Sequence, residues 1–158
     1  MRRFDLHSLR FGDASETWRS FPVEVAPFLY GGLEYEVPDG IVQAELTAAR
    51  VGDNLTLTMA VDTRVVGPCH RCLADADLEV EARGIEYVRH GDSGMIGDDE
   101  EEEEGYIVAH QVDLERWVRD LIAEALPQKL LCRDDCRGLC VVCGADLNAD
   151  PDHRHEEA

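Results

Sequence analysis

Apolar residues recur at every second position through the stretch from about residue 41 to residue 90. Leu55, Leu57, Met59, Val61, Thr63 and Val65 alternate with Thr56, Thr58, Ala60, Asp62 and Arg64, the two-residue period of a strand with one buried face. Residues 41–51 read as its partner, and Gly52, Asp53 and Asn54 between the two suit a tight hairpin turn. Leu78, Val80 and Ala82 then alternate with acids as a third antiparallel strand. Gly84 predicts a bulge, beyond which Ile85 and Tyr87 resume the pattern on a shifted register.

The first 40 residues carry shorter apolar stretches, at residues 4–9 and 18–25, broken by Pro22, Pro27, Gly31, Gly32 and Pro38. They predict edge strands and loops. The period changes at residues 113–126, where Leu114, Trp117, Val118, Leu121, Ile122 and Ala125 form one helical stripe that should cover the apolar face of the sheet. Asp113 is placed to cap this helix and Pro127 to end it. The expected fold is α+β: an antiparallel β-meander or partial barrel packed by one amphipathic helix over residues 1–130, followed by a cysteine-rich segment over residues 131–158. No internal repeat is visible.

Charge narrows the partners. The 158 residues hold 15 Lys and Arg against 34 Asp and Glu, a formal charge of -19, which repels a phosphate backbone and attracts basic partners. DNA binding is therefore not expected. Residues 98–104 are seven consecutive acids, and their repulsion predicts a solvated loop over residues 91–105. A docking site for a basic partner is the alternative. No apolar run approaches the roughly 20 residues that cross a bilayer, and the N-terminus lacks the apolar core of an export signal. The expected location is the cytoplasm, away from membranes.

Six cysteines in a reducing compartment point to metal before disulfides. Cys69-His-Arg-Cys72 falls where the second long strand should end and the third begin, so both thiols project from one turn, as in a zinc knuckle. The same spacing serves thiol redox enzymes, but those set the first cysteine at a helix N-terminus, which a strand-to-strand turn lacks. Cys132, Cys136, Cys140 and Cys143 crowd into twelve residues, and Cys140-Val-Val-Cys143-Gly144 has the form of a zinc-ribbon knuckle. His153 and His155 follow ten residues on; a solvated tail is the expectation for them, and an exposed turn for His70. Spacing leaves three ligand sets open. They are the four C-terminal cysteines alone; Cys140 and Cys143 with the histidines or upstream cysteines; and Cys140 and Cys143 with Cys69 and Cys72. A closed four-ligand shell leaves no place for an activated water, so the expected Zn2+ is structural. No phosphate loop, nucleophile elbow or H-E-x-x-H helix is present, and no catalytic or cofactor-binding residue is assigned.

The order Cys69-His-Arg-Cys72-Leu, an acidic loop, an amphipathic helix ending Glu124-Ala-Leu-Pro127, then Leu131-Cys132-x3-Cys136-x-Gly138-Leu139-Cys140-x2-Cys143-Gly144-x2-Leu147-Asn148 resembles the YceD family of bacterial and plastid proteins. The resemblance covers about half of the chain. It implies a part in large-subunit ribosomal RNA accumulation and ribosome biogenesis; bacterial genes of the family often lie beside that of a small zinc-ribbon protein of the large subunit. One common form of the family's tail carries a second cysteine pair where this chain has His153-x-His155, and some members lack the C-terminal cysteines. The expected role is a non-catalytic biogenesis factor. Its partners would be the large-subunit precursor, through basic ribosomal proteins or assembly factors before bare ribosomal RNA. An acidic holder for one basic ribosomal protein is a second reading, and a thiol-redox or metal-dependent enzyme a third.

Overall fold

The computed structural model describes residues 3–11, 15–52, 54–88 and 105–155. Its strands are β1 (Arg3–Asp5), β2 (Glu16–Glu24), β3 (Phe28–Tyr30), β4 (Leu33–Tyr35), β5 (Ile41–Val51), β6 (Asn54–Pro68), β7 (Asp75–Val88), β8 (Ile107–Val108) and β9 (Gln111–Asp113). One helix, α1 (Leu114–Ala125), follows. The three long strands foreseen from alternation are β5, β6 and β7. They join β2 in an antiparallel sheet of order β2-β5-β6-β7, with β2 and β7 at its edges. Pro22 sits on β2, where a missing N–H interrupts no central ladder. Two small sheets, β1-β9-β8 and β3-β4, complete the α+β fold. The acidic run at residues 98–104 lies outside the described residues.

The sheet is covered on one side. Ala44, Leu46 and Ala48 of β5, Leu57, Met59 and Val61 of β6, and Val80 of β7 are buried, and α1 turns Leu114, Trp117, Val118, Leu121 and Ile122 onto them. Asp113 caps this helix as expected, its carboxylate accepting from the Arg116 N–H at 3.1 Å. Tyr106 stacks on Trp117, ring centroids 5.4 Å apart.

Gly84 marks no bulge. Met59 pairs with Gly84 and Thr58 with Ile85 in unbroken register. The glycine instead lets the helix close on the sheet, because a Cβ there would stand 2.7 Å from Leu121 Cδ2 and 3.0 Å from Trp117 Nε1. With the register unshifted, Ile85 and Tyr87 point away from the core and are 54% and 69% exposed. Gly84→Val should push the helix off the sheet and lower stability by about 1–3 kcal/mol, the usual range for overpacking. Denaturant unfolding would show this as a lower midpoint, and an unchanged midpoint would contradict the close contact.

Candidate metal centres

Cys69 and Cys72 stand in the turn between β6 and β7, as their spacing predicts. Local hydrogen bonds shape the knuckle: the Cys69 N–H donates to Ala74 O at 2.7 Å and the Leu73 N–H to Cys69 O at 3.0 Å. After α1 the chain returns beneath this turn, where Leu130 O accepts from the His70 N–H at 2.8 Å. That contact delivers Cys132 and Cys136 to Cys69 and Cys72. Cys69 Sγ lies 3.8 Å from Cys136 Sγ, and Cys72 Sγ lies 3.6 Å from Cys132 Sγ.

The remaining four candidates meet separately. Cys140 Sγ lies 3.1 Å from His155 Nε2, Cys143 Sγ 3.2 Å from His153 Nε2, and the two Nε2 atoms 3.2 Å from each other. The eight residues thus divide into Cys69, Cys72, Cys132 and Cys136 on one side and Cys140, Cys143, His153 and His155 on the other. Within each four, all ligand atoms lie within 4.8 Å of one another. The four C-terminal cysteines do not meet as one group, nor do Cys140 and Cys143 meet Cys69 and Cys72.

Two expectations about histidines are corrected. His153 and His155 are not a loose tail, since each imidazole is held against a cysteine and Asp150 stands 3.7 Å from His153 Nδ1. His70 is not an exposed turn residue either. It is half-buried over Gly31, with its Nδ1 3.3 Å from the Tyr35 hydroxyl.

Sequence reasoning missed the groups that brace the first cluster. Arg71 donates from Nη1 to Cys136 O at 2.6 Å, and its own carbonyl accepts from the Leu139 N–H at 3.2 Å. Asn148 accepts on Oδ1 from the Arg137 N–H at 2.8 Å and from Arg133 Nη2 at 2.9 Å. Its Nδ2 lies 3.6 Å from Cys136 Sγ, a donor to that sulfur. Gly138 lies between them at a φ of +79°, and a Cβ there would come within 2.9 Å of Arg71 O. Nothing in periodicity or spacing singles out Arg71 or Asn148, because their partners are distant backbone and sulfur atoms.

The donor sets fit zinc. A tetrahedral ion with Zn–S bonds of about 2.3 Å sets its sulfurs about 3.8 Å apart, which matches the all-cysteine cluster. With Zn–N bonds of about 2.0–2.1 Å, the expected separations are about 3.5 Å for sulfur to nitrogen and about 3.3 Å for nitrogen to nitrogen, close to those of the second cluster. The sulfur pairs of the first cluster are also well beyond a disulfide bond of about 2.05 Å.

Electrostatics differ between the thiols. Burial pushes the Cys69 thiol up, but hydrogen bonds from the Arg71, Cys132 and Cys72 N–H groups and from the Cys72 side chain outweigh it and bring it down to about 6. Cys132 is pushed up to about 12 by its hydrogen bond with Cys72 and then by burial. The pocket therefore favours one thiolate and opposes the last, and only a cation offsets four. The His155 contact first, then the Cys143 and Val142 N–H groups, lowers Cys140 to about 6.

Among the described residues, then, the β6–β7 turn of a half-covered antiparallel sheet and the tail that follows α1 carry two sets of four Cys or Cys/His side chains that could each hold a metal ion. The family model described as "Large ribosomal RNA subunit accumulation protein YceD" matches residues 57–158, which include all eight candidate ligands. The chain belongs to the YceD family. Uncharacterized proteins of Mycobacterium bovis and Mycobacterium tuberculosis are each 34% identical to it over 128 residues, 80% of this chain and 62% of theirs. A maize (Zea mays) protein named as a chloroplastic YCED homolog 1, large ribosomal RNA subunit accumulation protein, is 37% identical over 38 residues, 24% of this chain and 13% of its own. The chain thus spans about 62% of the length of the mycobacterial relatives. No solved structure matches it.

Proposed function

We propose that this chain supports the accumulation of large-subunit ribosomal RNA as a non-catalytic binding factor in the cytoplasm. The observation that carries this reading is the family match over residues 57–158. Both clusters lie within it as compact sets of four donors, where bound zinc would supply a crosslink rather than an open coordination position. Cys69, Cys72, Cys132 and Cys136 would tie the tail to the sheet; Cys140, Cys143, His153 and His155 would close the tail on itself. The domain at residues 1–130 and the tail at residues 131–158 then act as one body.

A charge of -19 directs the surface toward basic ribosomal proteins or assembly factors on the large-subunit precursor, with ribosomal RNA contacted through them. The same charge supports a second reading, an acidic holder for a single basic ribosomal protein. Deletion of the gene should lower the ratio of large- to small-subunit ribosomal RNA, and the intact gene should restore it. An unchanged ratio would overturn the proposal. Crosslinked purification separates the two readings: immature large-subunit particles accompany a biogenesis factor, and one basic protein without RNA accompanies a holder.

A further inference from the structure

The second face of the main sheet has no cover among the described residues. Because each pair of neighbouring strands stays in unbroken register, through Gly84 as well, the outward positions align in rows across all four strands. Trp18, Thr47, Thr58 and Ile85 form one row, and Glu16, Ala49, Thr56 and Tyr87 the next. Trp18, on the β2 edge, is 64% exposed, and Ile85 and Tyr87, on the opposite β7 edge, are 54% and 69% exposed. Single exposed apolar residues are ordinary, but these three share two adjacent rows of one face and are joined by threonine and alanine.

Further along the same face the rows turn acidic. Glu45, Asp62, Glu79 and Glu81 border a concavity of about 1040 Å³. Arg64, which also lines the concavity, is engaged by Asp77, and Arg83 is the other arginine among the described residues that line it. The face is therefore aromatic at one end, where Glu16 at the β2 edge is the one acid in the two rows, and anionic at the other.

We propose that this open face docks a lysine- and arginine-rich polypeptide segment that carries apolar side chains. Carboxylates at one end complement its cations, and the indole and phenol rings at the other accept apolar side chains or the flat approach of a guanidinium. Phosphate would meet the same carboxylates as repulsion, which argues for a protein occupant over a nucleic acid. The inference rests on the reading of the chain as a binding factor for basic partners and gives that reading a surface.

Calorimetric titration of the full, zinc-loaded chain tests it, with a synthetic peptide of lysine, arginine and leucine as one probe and polyuridine as another. The intact chain should bind the peptide. Trp18→Ala with Tyr87→Ala should weaken binding on the order of tenfold at every salt concentration, and Glu79→Gln with Glu81→Gln should also flatten its salt dependence. Glu124→Gln with Asp134→Asn removes equal charge from elsewhere on the surface and should leave binding unchanged. All substituted side chains are exposed, so melting temperatures should be unaltered, and a variant that melts early is replaced by Trp18→Ser or Tyr87→Ser. Peptide binding that is absent, or that survives the aromatic substitutions, would overturn the proposal, as would preference for polyuridine. Failure of the ribosomal reading is separable: the deletion strain would keep its RNA ratio while the purified chain still bound the peptide through this face.

Discussion

Cys136→Ser is expected to lower the melting temperature by roughly 10 °C or more, whereas Cys143→Ser should shift it by only a few degrees, at about 2–4 °C per kcal/mol for a chain of this size. Each change removes one of four donors, so each should abolish one zinc site. The consequences differ because the sites join different things. Cys136 is 1% exposed and belongs to the core. Its cluster connects the β6–β7 turn to a segment more than 60 residues further on, and its backbone carbonyl anchors Arg71. Without the ion this segment would release, and a structural zinc contributes on the order of 10 kcal/mol or more in small zinc domains. Cys143 is exposed and its partners lie within the tail, so its loss leaves the sheet and α1 in place. Differential scanning calorimetry of the two variants measures the contrast. Equal shifts would mean that the clusters do not divide as described.

Trp117→Ala should be the largest effect outside the metal centres, a loss of about 3–5 kcal/mol. Trp117 is 1% exposed, lies against Gly84 and stacks on Tyr106. Removing it opens a cavity at the contact between α1 and β7, and Gly84 has no side chain with which to fill it. Because the indole supplies no donor to either set of four candidate ligands, both zinc sites should remain loaded. Chemical denaturation followed by metal analysis of the native fraction reads both quantities. A loss under about 1 kcal/mol, below the range for buried aromatics, would contradict the packing.

The elements that are half-buried along their length were legible in the sequence. β5, β6 and β7 each keep one face inward over many residues, so the two-residue period survives, and α1 writes its stripe and its Asp113 cap just as plainly. Gly84 was misread because a bulge and a close helix approach call for the same residue, and only the position of Leu121 and Trp117 separates them. That single difference decides whether Ile85 and Tyr87 belong to the core or to the open face.

The ligand residues were legible as a set but not in their grouping. Spacing shows that Cys69 and Cys72 share a turn. Which sulfurs approach them depends on where the chain goes after α1, and the contact that fixes this is a backbone hydrogen bond from His70 to Leu130. His153 and His155 read as tail because nothing apolar surrounds them; their positions are set by Cys140 and Cys143. Asn148 carries no signal of its own beyond its place in the family pattern, yet it links Arg133, Arg137 and Cys136.

Native mass spectrometry of the chain and of two variants tests the central claim most directly. The intact protein should carry two zinc ions. Cys69→Ser should remove one and Cys140→Ser the other, and with cobalt in place of zinc the ion left in Cys140→Ser should show the stronger thiolate charge-transfer absorption, having four sulfur ligands rather than two. A single ion in the intact protein, lost in both variants alike, would contradict the division into two centres.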